Sequence, residues 1–145
     1  MEYTTLGQTD ISIPRLCLGG MSFGEVFPDF HQWVIGQDET QAVIQRALEL
    51  GVNFIDTANT YARGTSERYI GESLRRLQVA REDVVLASKV YFNEGHLSRA
   101  AIEREITGTL ERLGTDYLDL YLIHRFDYST PMEETMEALH GLVRS

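Results

Sequence analysis

The 145-residue sequence nearly lacks the residue that staples small secreted folds: it holds one cysteine, Cys17. A lone thiol has no intrachain partner, so a disulfide framework is excluded and a reducing compartment is the expected setting. Cys17 lies in the apolar run 16–18, and free cysteine behaves as a small hydrophobe, so a buried structural thiol is expected. Basic residues are also scarce. Thirteen Lys and Arg against 22 Asp and Glu leave a net charge of −9 and a pI near 4.8. That balance argues against nucleic acid or an anionic membrane as a main partner. There is no proline-rich linker, low-complexity tract or charge block to mark a boundary, so residues 1–145 read as one domain with length for a sizeable core. No apolar run approaches the roughly 20 residues that cross a bilayer. The opening MEYTTLGQTD is too polar and acidic for a signal peptide, and a cytoplasmic location is the expectation.

What the sequence does have is an alternation. Short apolar runs at 15–19, 53–56, 84–89 and 117–124 are separated by segments of helical periodicity at 39–50, 66–77, 98–113 and 131–143. Asp38 with Gln41 has capping-box spacing, and Thr130, Pro131 and Glu133 supply a cap, a first-turn proline and a reciprocal acid. Gly51 and Gly114 follow helix ends, where a left-handed residue is cheapest for glycine. Residues 3–5 and 11–13 around GQTD read as a β-hairpin within 1–14. Strand then helix, four times over 15–145, implies parallel strands joined by crossovers, either in a doubly wound sheet or in part of a β/α barrel. A dinucleotide-binding doubly wound domain favours G-x-G-x-x-G after its first strand. The run here is GGMSFG, with Met21 where the second glycine belongs, and a long loop follows it.

Ionisable residues collect where the strands end. The second strand finishes on Asp56, with Tyr61 in the loop beyond; the third delivers Lys89 and the fourth His124. Taken singly, Asp56 could cap its loop, Tyr61 could pack, Lys89 could be solvated and His124 could be a hydrogen-bonded core histidine. Together they converge on the carboxyl-terminal rim, where α/β enzymes place their chemistry. A phenol keeps its proton at neutral pH and can donate it. A neighbouring ammonium stabilises the phenolate left behind, a carboxylate holds that ammonium charged, and a histidine orients the substrate oxygen. Asp56 is therefore expected to pair with Lys89, in a site suited to protonating a carbonyl oxygen. No metal site is assigned.

The segments LGQTDISIPRLCLGGMSFG, GVNFIDTANTY, GTSERYIGESL, LASKV, LGTDYLDLYLIHR and TPMEETMEAL resemble, in that order, the aldo-keto reductases. They are most similar to bacterial members of the branch that also holds the potassium-channel β subunits. The resemblance implies an α/β fold, the N-terminal half of a (β/α)8 TIM barrel with an N-terminal hairpin and four βα units. It implies NADPH-dependent reduction of an aldehyde or ketone, with Tyr61 as general acid, Lys89 and Asp56 as the pair that tunes it, and His124 orienting the substrate. Gly20, Met21 and Ser22, with Asp56, match the cofactor-binding positions near the nicotinamide ribose. Phe23, Arg125 and Asp127 are candidate pocket-wall or loop-ordering residues, the last two equally a surface pair, and Trp33 is a candidate lining of the substrate pocket or an ordinary loop-packing residue. His31, His96 and His140 match no catalytic motif. The motifs cover only the amino-terminal half of the family pattern, so most of the NADPH site is expected outside them. A lone half barrel with open edges is expected to self-associate. The alternatives are a non-catalytic NADPH-sensing regulatory subunit and an inactive, self-associating fragment.

Overall fold

The computed structural model describes residues 1–29 and 31–145. Two short strands, β1 (Tyr3–Thr5) and β2 (Ser12–Pro14), pair antiparallel. Four strands then alternate with four helices: β3 (Leu18–Gly19), α1 (Gln37–Glu49), β4 (Phe54–Asp56), α2 (Thr65–Arg76), β5 (Val85–Val90), α3 (Arg99–Leu113), β6 (Leu120–Ile123) and α4 (Met132–Arg144). The four strands form one parallel sheet in chain order, β3-β4-β5-β6. A doubly wound sheet reverses its strand order at a switch point. A sheet that steps one way throughout is an arc of a barrel, as expected.

Period-two alternation divides the sheet residues between two environments. Ile55 and Leu86 are buried against α1, α2 and α3 with Ile44, Ile70, Leu74 and Leu113, while Val90 packs with Ile102 and Ala138 under α3 and α4. Full burial of each such side chain contributes about 1.5–3 kcal/mol. The alternate residues Phe54, Asp56, Lys89, Leu120 and Leu122 are half-buried, because they occupy the face that a closed barrel would turn inward. Each helix packs on the next.

The structure corrects several local readings. The N-cap of α1 is Gly36, with no side-chain cap bond; Asp38 lies inside the first turn and pairs across to Arg76 at 3.4 Å. Pro131 takes the cap position of α4, while the Thr130 hydroxyl donates to Asp127. Ser98 is a true cap, accepting from the Ala101 N–H at 3.4 Å. Gly114 (φ 67°) and Gly51 (φ 79°) are left-handed at helix ends, as expected. Cys17 is exposed, not buried, because it precedes the two-residue edge strand β3 on the side that no helix covers. Partial desolvation, helped by the Asp56 carboxylate, pushes its thiol up to about 11, which keeps it protonated at neutral pH. Among the described residues no helix is long and apolar enough to cross a membrane.

Candidate functional site

Three adjacent parallel strands carry their polar residues to one rim. Asp56 closes β4, Lys89 stands next to last on β5 opposite Leu122 of β6, and His124 follows β6 directly. Lys89 is the only lysine of the sequence. Its ammonium donates to Asp56 Oδ2 at 2.6 Å and to the Thr57 carbonyl at 2.8 Å, and lies 3.4 Å from the Tyr61 hydroxyl. Three acceptors match the three donors of an ammonium. The pair is largely shielded, with side chains 15% (Lys89) and 28% (Asp56) exposed, so desolvation is compensated at short range.

Tyr61 opens a tight turn that is not ordinary helix. Ala62 (φ 44°) and Arg63 (φ 56°) are left-handed, and Gly64 continues the twist at φ 85°. Each left-handed non-glycine residue costs on the order of 1–2 kcal/mol and persists only where its surroundings over-determine it. Here Ala62 is fully buried and its carbonyl accepts from Thr65 Oγ1 at 2.7 Å, while Arg63 binds Asp29 at 2.6 Å and lies over the Phe27 ring. The turn aims the Tyr61 ring edge-to-face at His124, with centroids 5.6 Å apart.

His124 is wedged between Tyr61 and Phe92, whose centroid lies 5.1 Å from its own. Its Nδ1 is buried without a partner among the described residues. Burial first, then the Lys89 ammonium and Arg125, lower its pKa from the ordinary 6.5, against the opposing pull of Asp56. The imidazole is therefore neutral at pH 7, with one N–H to donate.

The Gly20–Ser22 loop abuts this cluster. The Gly20 N–H donates to the Asp56 carbonyl at 2.7 Å, and the Gly20 carbonyl accepts from Ser66 Oγ at 2.7 Å. A Cβ at Gly20 would press on Ile70 Cδ1 at 3.0 Å and on the Asp56 carbonyl at 3.1 Å, so the loop lies low against the strand end. Met21 beside it is exposed.

The outer candidates divide. Phe23 is 1% exposed within the core of the sheet and first helices, so it presents no wall to a substrate. Trp33 is exposed and stacks on His31 at 4.5 Å. Arg125 sits at the rim, its guanidinium 5.0 Å from the Phe92 centroid. Asp127 is not its surface partner: buried at 5% exposure, it accepts from Ser129, from Thr130 Oγ1 at 2.7 Å and from the Leu97 N–H at 3.2 Å. Those hydrogen bonds hold its carboxyl well below the usual range. Sequence reasoning missed Phe92, which follows a strand end, and the buried polar run Thr65-Ser66-Glu67. Periodicity gave no sign of either, because both lie at element boundaries.

Comparison with known proteins follows the same lines. Residues 15–145 match the model of the aldo/keto reductase family. The chain is 40% identical to an uncharacterized oxidoreductase, YrpG, of Bacillus subtilis, covering 100% of this chain and 46% of that protein. It is 37% identical to the aldo-keto reductase AFTS1 of Alternaria alternata, covering 98% and 46%. It is 34% identical to a probable voltage-gated potassium channel subunit beta of Oryza sativa, covering 99% and 43%. Among solved structures, the thermostable aldo-keto reductase Tm1743 superposes with a TM-score of 0.85 at 38% identity, over 99% of this chain and 50% of that one. The chain thus spans about half the length of the relatives it matches.

Proposed function

Because the chain belongs to the aldo/keto reductase family, we propose that it carries the proton-transfer machinery of an NADPH-dependent reductase of aldehydes or ketones. One observation carries the reading: a single ammonium bridges a strand-end carboxylate and a phenol beside a neutral imidazole.

In this reading Tyr61 gives its hydroxyl proton to the carbonyl oxygen as that oxygen gains charge. Lys89, 3.4 Å away, stabilises the phenolate until solvent restores its proton. Asp56 keeps the ammonium charged and fixed. His124 donates its N–H to the same oxygen and sets its approach to Tyr61. Positioned proton donation of this kind contributes about 10²–10⁴-fold in rate.

The residues present fit the nicotinamide end of the cofactor. The Gly20–Ser22 loop packs closely against the end of β4, and exposed Met21 and the partly exposed Asp56 carboxylate are the groups there that would meet the cofactor. Bound NADPH supplies the hydride. The remaining grip on the cofactor is assigned to the part of the family's length that these residues do not span.

Fluorescence titration of NADPH with the purified chain is the first test: saturable micromolar binding means that these residues assemble a working cofactor site, and no binding means that the proton-transfer residues stand here without their hydride donor. The second is reduction of 4-nitrobenzaldehyde by the wild type and by Tyr61→Phe. The variant should bind NADPH normally and lose turnover; a Tyr61→Phe protein with most of its activity would refute the assignment.

A further inference from the structure

The first turn of α2 holds three parts of the rim at once. Thr65, Ser66 and Glu67 are all buried, Glu67 completely. Thr65 Oγ1 accepts from the Glu25 N–H at 2.8 Å, and Ser66 Oγ donates to the Gly20 carbonyl. Glu67 accepts from Ser88 Oγ at 2.6 Å through one oxygen and from Arg112 Nε at 2.6 Å through the other.

Both partners of Glu67 lead to the site. Ser88 immediately precedes Lys89 on β5, and strand alternation turns Ser88 to the helices and Lys89 to the opposite face. Arg112 lies flat on the turn that Tyr61 opens: a Cβ on Gly64 would stand 2.9 Å from its Cδ. One carboxylate thus braces the strand that carries Lys89 and, through Arg112, the strained turn that carries Tyr61. A buried ion pair is a weak source of stability, because desolvation offsets its attraction. What two fixed, charge-assisted hydrogen bonds do provide is geometry.

We propose that Glu67 is a positioning residue for proton transfer, setting the spacing of Lys89 and Tyr61 through Ser88 and Arg112. The proposal rests on the reductase reading of those two residues, and its test separates the two claims. Lysine labelled with ¹³C at Cε gives one signal, because Lys89 is the chain's only lysine. In Glu67→Gln and in Ser88→Ala this signal should move from its wild-type position at pH 7. Turnover of 4-nitrobenzaldehyde should fall about tenfold, within the range that a small misplacement of a catalytic group costs, while its KM changes less than about twofold. Ser88→Ala removes one hydroxyl and keeps the test alive should Glu67→Gln fail to fold. A lysine signal unmoved in the folded variants overturns the positioning role whatever the rate. A wild type that binds NADPH without reducing carbonyls sinks the reductase reading instead, and the lysine signal still decides on Glu67.

Discussion

Lys89 Nζ stands 2.6 Å from Asp56 Oδ2 and 3.4 Å from the Tyr61 hydroxyl, so one ammonium joins the end of β4 to the loop beyond it. Neither contact is local: 33 residues separate Lys89 from Asp56. Parallel pairing of β4 with β5 creates both.

Lys89→Met should keep the fold and lose turnover. Asp56, left without its cation, remains 28% exposed and can take water in its place. On the proposed mechanism the rate falls by about 10²–10⁴-fold. Turnover is read beside a urea midpoint, and a folded Lys89→Met retaining more than about a third of wild-type turnover would remove Lys89 from the mechanism.

His124 should make stability depend on mild acid. Its folded pKa is lowered, so the unfolded chain binds the proton more readily. The contribution is complete above the ordinary 6.5 and is lost as pH falls from there through the lower folded value. Asp127, also lowered, acts in a separate window below its ordinary 3.8. Urea midpoints between pH 8 and 5 should therefore fall less in His124→Asn than in wild type. Parallel profiles for the two proteins would contradict this account of the histidine.

Gly71→Ala should destabilise the fold. A Cβ on Gly71 would run into the carbonyl of Leu113, so α2 and α3 could not cross as closely as they do. The expected loss is about 1–3 kcal/mol, the usual range for overpacking. Chemical denaturation measures it, and a variant as stable as wild type would mean that the helices separate freely.

These residues produced alone should self-associate. β3 and β6 are the edges of the parallel sheet, and Leu120, Leu122 and Phe54 are only half-covered on its open face. Unpaired edges and apolar faces recruit partners. Light scattering on a sizing column is expected to show a dimer or larger species; a monodisperse monomer would rule the expectation out.

Much of this was legible in the sequence. The four helices fall within two residues of their periodic segments, and the strand-end positions of Asp56, Lys89 and His124 follow from the apolar runs before them. Capping was less legible. Thr130 has the chemistry of a cap, but Asp127, three residues back, takes its hydroxyl. Asp38 sits two residues past the cap, because the backbone turns into α1 at Gly36. Phe23 reads as a loop residue, yet pairing of Phe23 with Ile35 folds the loop back and buries the ring in the core.

The sequence by itself determined which candidate site residues emerge at the carboxyl-terminal end of each strand, because apolar periodicity and strand ends are local properties of the chain. Only the tertiary structure decided that Lys89 meets Asp56 and Tyr61, that His124 is held neutral, and that Glu67 braces them from behind. Those facts depend on the register of strands and the crossing of helices tens of residues apart. No local pattern encodes such distances; they are set when the packed core closes around them.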